Sequence, residues 1–186
     1  MEKRLFLAVN VSEQTRALIR ALQSEFHFLK NEIRFIAPGN VHLTLKFLGD
    51  VNTDHIPGII SKIQSSIHSF KKFAYISQGT GVFPNLTRPR VLWLGITQGS
   101  NHLEELSKLL NDALKDMPVK KEDRDYRSHI TLGRVKGFKK SYPNLYRFVK
   151  YRFDPIKNNV EEIILFESIL KPKGAIYTPI HKFSLN

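Results

Sequence analysis

The sequence predicts an α+β fold with two pseudo-symmetric lobes, each an antiparallel sheet with helices outside it. Two observations lead to this class. The pattern His-apolar-Thr-Leu occurs twice, at 42–45 and at 129–132. In each half of the chain, strand and helix patterns recur in the same rough order of strand, helix, motif strand and helix. We therefore expect residues 1–186 to form a single two-lobed domain whose motif strands line a central cleft.

The first half of the chain alternates strand and helix patterns. A short apolar run predicts a buried strand, a serine is a favourable N-cap for the amphipathic segment that follows, and Pro-Gly-Asn is a turn sequence. The expected elements are a strand at 5–9, a helix from Ser12 to about Leu29, a turn at 38–40, a strand at 41–48 that Gly49-Asp50 ends, and a helix at 53–70.

The second half shows the same two kinds of pattern. Leucines at helical spacing predict a long helix, and segments rich in proline, arginine or glycine separate the strands. The expected elements are strands at 73–82 and 91–96 with the loop 83–90 between them, a helix at 101–117, a strand at 128–135, and strands at 160–170 and 176–183 joined by a turn at 171–174.

Alternation along the first motif strand separates two faces, since residues i and i+2 of a strand point the same way. His42 and Thr44 therefore share a face, as do His129 and Thr131 in the second motif. The face expected in the core carries Val41, Leu43, Leu45 and Phe47, and the opposite face carries His42, Thr44, Lys46 and Leu48. Phe47 is thus expected in the core and not as a platform for a base.

The composition favours a globular protein with polyanionic partners. The chain has 29 Lys and Arg residues against 17 Asp and Glu, a formal charge of +12 that suits nucleic acid or nucleotide phosphates. It has no cysteine, which excludes thiol catalysis, disulfides and thiolate metal sites. No segment approaches the roughly 20 apolar residues of a membrane span, and the short apolar run near the start does not fit a signal sequence. We expect a cytoplasmic protein, and a monomer.

Two matched histidines are the minimum set for metal-free phosphodiester chemistry near neutral pH. One imidazole takes a proton from the attacking group, and the other gives a proton to the leaving group. Threonine hydroxyls at the i+2 positions suit the non-bridging phosphate oxygens. A metal site is disfavoured, because the motifs supply two ligands where zinc normally takes three or four. The remaining histidines, which lack the motif and receive no role, are His27, His55, His68, His102 and His181.

Five segments carry a resemblance to a known family over nearly the whole chain. They are 4–9, 40–49, 88–95, 127–134 and 174–177. With the two histidine motifs, they make the chain similar to the two-histidine (2H) phosphoesterase superfamily, and within it to the RNA 2′,3′-cyclic phosphodiesterases, also described as 2′-5′ RNA ligases. One departure is Ser128, which stands where the family usually has a proline before the second histidine.

The resemblance implies a reaction and a role for each motif residue. Water attacks the phosphorus of a 2′,3′-cyclic phosphate at an RNA end, with His129 as proton acceptor and His42 as proton donor to the departing 3′ oxygen. Thr44 and Thr131 hold the phosphoryl oxygens, and the product is a 2′-phosphate. The resemblance further implies that no metal or nucleotide cofactor is needed, and that the site run backwards gives weak 2′-5′ ligation.

Further basic residues are candidates for binding phosphate. Arg134 matches a family arginine, although strict alternation turns it away from the face of Thr131 unless a bulge or strand end intervenes. By parity, Arg127 and Lys46 lie on the faces of the two motif histidines. The candidates for lining an RNA path are Lys46, Arg88 and Arg90.

Two other functions remain open. The same site could act on another 2′-linked or cyclic nucleotide, such as 2′-5′ oligoadenylate or an ADP-ribose cyclic phosphate. The chain could also be a non-catalytic basic RNA-binding module, whose binding would be salt-sensitive and indifferent to the terminal phosphate. Paired imidazoles favour an enzyme over the binding module, since binding alone has no need of them.

Overall fold

The computed structural model describes residues 1–122, 125–137, 142–172 and 174–186. Its strands are β1 (Glu2–Asn10), β2 (Ile33–Phe35), β3 (His42–Asn52), β4 (Phe73–Phe83), β5 (Val91–Gln98), β6 (Ile130–Val135), β7 (Ile156–Val160), β8 (Glu162–Lys171) and β9 (Gly174–Ser184). Its helices are α1 (Glu13–Glu25), α2 (Ile56–Ile67), α3 (Ser100–Ala113) and the single turn α4 (Tyr146–Val149), with short 3₁₀ segments at His27–Leu29, Pro38–Asn40 and Thr53–His55.

The strands form one antiparallel sheet with a two-fold pattern. Its order is β7-β4-β5-β6-β3-β1-β8-β9, with β2 paired to the end of β6. The motif strands β3 and β6 are the central neighbours. The first motif strand, β3, lies beside β1, and helix α1 comes between these two strands in the chain. In the same way, β6 lies beside β5, and helix α3 comes between them. The predicted α+β class with two pseudo-symmetric lobes is confirmed.

Amphipathic helices cover one face of the sheet. Ser12 caps α1 as predicted, because its Oγ accepts the N–H of Thr15 at 3.2 Å. Ser107 of α3 donates to the carbonyl of Leu45 in β3 at 2.9 Å, which fixes that helix on the sheet. Fully buried aliphatic residues at helical spacing are Ile59, Ile63 and Ile67 in α2 and Leu103, Leu106 and Leu110 in α3. Each contributes about 1.5–3 kcal/mol by its burial.

Several elements differ from the expectation. The first helix ends at Glu25, where a separate 3₁₀ turn follows, and the third ends at Ala113. The strands β2 and β7 were not expected, since they are only three and five residues long and carry little periodicity. Lys173 of the expected turn at 171–174 lies outside the described residues. None of the helices in the described ranges has the length and apolar character needed to cross a membrane.

The first motif strand continues beyond its expected end at Gly49-Asp50 and stops only at Asn52. Gly49 has a φ of +76°, which glycine adopts without steric cost, so the residue bends the strand without ending it. The register with β1 also shifts twice, leaving Leu45 and Leu48 as extra residues on β3. Such bulges re-aim the side chains that follow them.

Candidate active site

The two motif strands meet at one residue pair. Leu43 of β3 is paired with Ile130 of β6 in antiparallel register, and both side chains are fully buried. Continuing this register by one residue sets the histidine of each motif opposite the threonine of the other. His42 and His129 are then diagonal neighbours, whose Cα atoms such a register separates by about 7–8 Å.

His42 is packed among aromatic side chains. Its ring centroid lies 4.7 Å from that of Phe6, 6.2 Å from that of Phe166 and 5.1 Å from that of Tyr177, which meets it edge-on. Its Nδ1 lies 2.8 Å from the carbonyl oxygen of Asn40. Because a carbonyl only accepts, Nδ1 carries the hydrogen, and Nε2 is the nitrogen left to exchange protons.

His129 is held by a matching bond. Its Nδ1 lies 2.6 Å from the carbonyl oxygen of Arg127, again two residues earlier in the chain. The ring of Phe83 packs edge-on against it at 5.1 Å, and Phe83 packs in turn on Trp93. This histidine also donates from Nδ1 and keeps Nε2 for chemistry. The two imidazoles are therefore fixed in the same tautomer by equivalent backbone contacts.

Burial lowers the pKa of both histidines. The pKa of His42 falls from 6.5 to about 4, mainly because burial disfavours the charged ring; the backbone hydrogen bond opposes this fall, and the charge of Arg16 adds to it. The pKa of His129 is lowered by burial as well, opposed by its own backbone bond and reinforced by Arg134. In the free protein both rings are therefore mainly neutral near pH 7.

A cleft of about 1200 Å³ opens over the motif strands. The expected site residues that line it are His42, Thr44, Thr131 and Arg134. His129 is half-buried and does not line this cleft, although continuing the Leu43–Ile130 register by one residue sets it across from Thr44. The side chain of Arg127 is exposed and does not line it either. Arg127 contributes its carbonyl to the orientation of His129.

A family model described as LigT like Phosphoesterase matches the chain twice, over residues 9–93 and 94–177. The chain belongs to this LigT-like family. The two matches together cover most of the sequence, and each contains one of the two histidine motifs. The two-fold pattern of strands in the sheet is thus matched by a repeat in the sequence.

Full-length relatives support the same family. An RNA 2′,3′-cyclic phosphodiesterase of Methanocaldococcus jannaschii is 34% identical over 97% of this chain and 99% of its own. Another of that name, from Methanothermobacter thermautotrophicus, is 32% identical over the whole of both chains. The crystal structure of TT0787 of Thermus thermophilus matches with a TM-score of 0.82 at 29% identity, over 98% of this chain and 97% of that one.

Arg134 reaches the cleft of this LigT-like protein through a bulge. The register between β5 and β6 shifts so that Leu132 is an extra residue on β6, between Thr131 and Gly133. This is the irregularity that strict alternation required for Arg134 to join the face of Thr131. The positive charge of Arg134 adds to the lowering of the pKa of His129, which burial mainly causes.

The expected position of Lys46 on the histidine face is wrong. The bulge at Leu45 turns Lys46 toward α3, where it is 5% exposed and donates to the side chain of Asn111 and, at 3.4 Å, to the carbonyl of Lys120. Burial lowers its pKa, and Glu122 partly opposes this effect. Lys46 thus ties β3 to α3 on the side of the sheet away from the cleft.

The expected burial of Phe47 in the core is also wrong. Its side chain is 47% exposed and lines the cleft, because the same bulge reverses the alternation. Its ring centroid lies 6.2 Å from that of Phe6, which packs on His42. An exposed aromatic ring in a cleft offers a flat surface on which a base can stack.

Three residues that sequence reasoning missed hold the motif segments in place. Asn40 donates from Nδ2 to a carbonyl of β9 at 2.8 Å. Arg16 donates to the carbonyl of Pro38, in the 3₁₀ turn that leads into the first motif, at 2.8 Å. The hydroxyl of Tyr126 donates to the carbonyl of Thr44 at 3.1 Å. Their partners are backbone carbonyls remote in the chain, so no local pattern indicates them. The position of Asn40 two residues before the motif histidine is the one available signal.

The remaining RNA-path candidates lie away from the cleft. Arg88 and Arg90 are exposed in the segment between β4 and β5, and neither lines the cleft. Within the described ranges, no group of three or more His, Asp or Glu residues is placed to hold a metal ion.

Proposed function

We propose that this protein hydrolyses 2′,3′-cyclic phosphates at RNA ends to 2′-phosphomonoesters, with His42 as proton donor and His129 as proton acceptor. The observation that carries the proposal is the matched pair of Nδ1–carbonyl bonds on either side of the Leu43–Ile130 pair, which leaves Nε2 of each ring as the nitrogen for proton transfer. The names of the full-length relatives support the substrate.

The proposed step is an in-line displacement at phosphorus. The oxygen of water bonds to phosphorus while Nε2 of His129 takes a proton from the water. The bond from phosphorus to the 3′ oxygen breaks, and Nε2 of His42 gives its proton to that oxygen. One water is consumed, and the products are a 2′-phosphate and a 3′-hydroxyl on the same ribose.

The negative charge of the bound phosphate favours the protonated form of His42, which is scarce in the free protein near pH 7. The pKa of His42 is about 4 without substrate, so the ring is neutral near pH 7. A phosphodiester carries a negative charge, and an opposite charge beside a buried imidazole favours its protonated form. The hydroxyls of Thr44 and Thr131 would stabilise the phosphoryl oxygens as their negative charge grows.

A second reaction belongs to this proposal. With the 5′-hydroxyl of another RNA in place of water, the displacement forms a 2′-5′ phosphodiester and leaves the 3′-hydroxyl free. We therefore propose weak 2′-5′ ligation as a side activity. The alternative is that the preferred substrate is another cyclic or 2′-linked nucleotide. A competition assay of such nucleotides against cyclic-phosphate RNA distinguishes these two substrate classes.

The setting of this activity is proposed as well. Residues 1–186 would act as one two-lobed unit, because the β3–β6 pairing joins both motifs in one sheet. We expect a cytoplasmic monomer that takes part in RNA processing without a metal ion or cofactor. Light scattering measures the oligomeric state directly.

Phosphorus NMR tests the proposed function. A 2′,3′-cyclic nucleotide incubated with the protein and EDTA should convert to the 2′ monoester. His42→Ala and His129→Ala should each lower the rate by roughly a hundredfold or more, since each removes one proton-transfer group. The exposed His55 provides the matched control, and His55→Ala should retain the wild-type rate.

Three results would contradict this proposal. Loss of turnover on adding EDTA would indicate metal chemistry. Turnover that survives both histidine substitutions would place the chemistry elsewhere. Salt-sensitive RNA binding with no turnover, unaffected by the same substitutions, would identify a non-catalytic RNA-binding module.

A further inference from the structure

Two arginines face each other across neighbouring strands beside the candidate active site. Arg34 of β2 is paired directly with Arg134 of β6 in antiparallel register, and both are exposed and line the cleft. Like charges set directly opposite each other on a sheet destabilise it. Among the described residues, neither arginine makes an ion pair with a carboxylate. The fold therefore sets two like charges at opposed positions of the sheet, a repulsion that a bound anion would relieve.

The rest of the cleft has the same electrostatic character. The cationic residues that line it are Arg4, Arg34, Lys120, Arg134 and Lys171, and its lining within the described ranges includes no Asp or Glu. A single terminal phosphate next to His42 does not account for five cations. Lining of this kind suits a ligand with negative charges at more than one point.

The distance of the arginine pair from the histidine motif indicates which phosphate of the RNA the pair can bind. Arg134 is three residues beyond Thr131 on β6, which places the Cα atoms of the two residues about 7–10 Å apart along the strand. That distance is of the order of one nucleotide step. Phe47, exposed on the same cleft, offers a stacking surface for a base.

We propose that Arg34 and Arg134 together bind the phosphodiester on the 5′ side of the terminal nucleoside. The site then takes the end of an oligonucleotide in preference to a mononucleotide cyclic phosphate. This inference rests on the proposed function and assigns to Arg34 a role in substrate selection that is separate from the proton transfers.

The test compares two substrates in the same enzyme. The dinucleotide ApA ending in a 2′,3′-cyclic phosphate has the additional phosphodiester, and adenosine 2′,3′-cyclic phosphate lacks it. We expect the ratio of their kcat/KM values to favour the dinucleotide in the wild type. Arg34→Gln should lower this ratio by about tenfold, the size expected for one charged hydrogen-bonded contact. Arg152→Gln removes one exposed charge outside the cleft lining and should leave the ratio at its wild-type value.

Salt dependence supplies a second readout. Removing one phosphate contact should make the fall of log(kcat/KM) with log[salt] shallower by about 0.7 for the dinucleotide. A wild-type ratio near one, or an equal loss for both substrates in Arg34→Gln, would overturn the proposal. Failure of the proposed function is distinguishable, since it would abolish turnover of the mononucleotide and the dinucleotide alike in the wild type.

Discussion

His42 is packed among aromatic rings and yet must carry a proton in the proposed reaction. Burial favours its neutral form, whereas the leaving 3′ oxygen needs the charged form. The negative charge of the substrate reconciles these requirements, because it stabilises the imidazolium only when the cleft is occupied. Bound substrate therefore raises the pKa of the proposed acid, so that His42 holds its proton when the 3′ oxygen leaves.

We expect kcat/KM to be bell-shaped in pH, with its maximum on the acid side of pH 6.5. This parameter reports the free enzyme, in which the pKa of His42 is about 4 and that of His129 is also lowered. Activity is lost at low pH as the base gains a proton and at higher pH as the acid loses one. The maximum of kcat should lie at higher pH, because bound phosphate raises the pKa of the acid.

Steady-state rates from about pH 4 to about pH 8 measure both profiles. Circular dichroism at each pH verifies that the protein stays folded. A kcat/KM maximum above pH 7 would contradict the lowered pKa values.

Arg16 offers a test of the electrostatics around His42. Its positive charge contributes to the low pKa of that ring, so Arg16→Gln should raise the pKa. Arg20 lies on the same helix but pairs with Glu13 at 2.6 Å, and Arg20→Gln is the matched control. NMR titration of the His42 ring protons measures both variants. A pKa that stays constant or falls in Arg16→Gln would disprove the assigned contribution.

At the scale of the element, regular alternation predicts correctly which face of a motif strand a side chain lies on as far as the first bulge. Beyond that bulge the predicted faces are wrong. His42 and Thr44 precede the first bulge of β3, and both line the cleft as expected. Lys46 and Phe47 follow that bulge, and each points to the face opposite to the one predicted. The bulge arises from pairing with β1, a partner that the sequence of β3 does not encode locally.

The cation pair of the cleft escaped prediction for a similar reason. Arg34 lies in a three-residue strand with little periodicity, and only its register with β6 brings it opposite Arg134. The histidines, by contrast, were identifiable because they repeat within a four-residue pattern. Local chemistry was therefore predictable from the sequence, and contacts made through tertiary pairing were not.

The packing of β4 on β5 supplies a prediction at the scale of the element. Gly81 is paired with Trp93, and a Cβ atom at this position would lie 2.2 Å from the indole ring. Gly81→Ala should therefore lower the free energy of unfolding by about 1–3 kcal/mol. Turnover should fall as well, because Trp93 is in register with Thr131 of the second motif.

Urea denaturation measures this effect against a glycine with free space. A Cβ atom added at Gly39 would have no neighbouring atom within 4 Å, so Gly39→Ala should change the free energy of unfolding by less than about 0.5 kcal/mol. Equal stability of the two variants would show that Trp93 can move aside at no cost.

At the scale of the whole molecule, the low pKa of His42 makes folding depend on pH. The unfolded chain protonates this ring below pH 6.5, while the folded protein does so only near pH 4. The contribution of the neutral His42 ring to the free energy of unfolding is therefore fully present above pH 6.5 and is lost as the pH falls toward 4. The loss specific to this group should reach about 2–3 kcal/mol.

Comparison with His42→Gln isolates that contribution. Both proteins share the other titrating groups, so the difference between their free energies of unfolding should change over this pH range and stay constant above it. Urea denaturation at about pH 7 and about pH 4 gives the two values. Parallel pH dependence in the two proteins would contradict the prediction.

The paired Nδ1–carbonyl bonds also govern how the protein recovers between turnovers. Since each Nδ1 is committed to the backbone, protons enter and leave both rings through Nε2. Under the proposed roles, one turnover leaves His129 with an added proton and His42 without one. Recovery of the starting state uses the same nitrogens that the product covers, so it waits for product departure. A product that stays bound holds the two rings in the inverted protonation state, which is the state from which the reverse reaction begins.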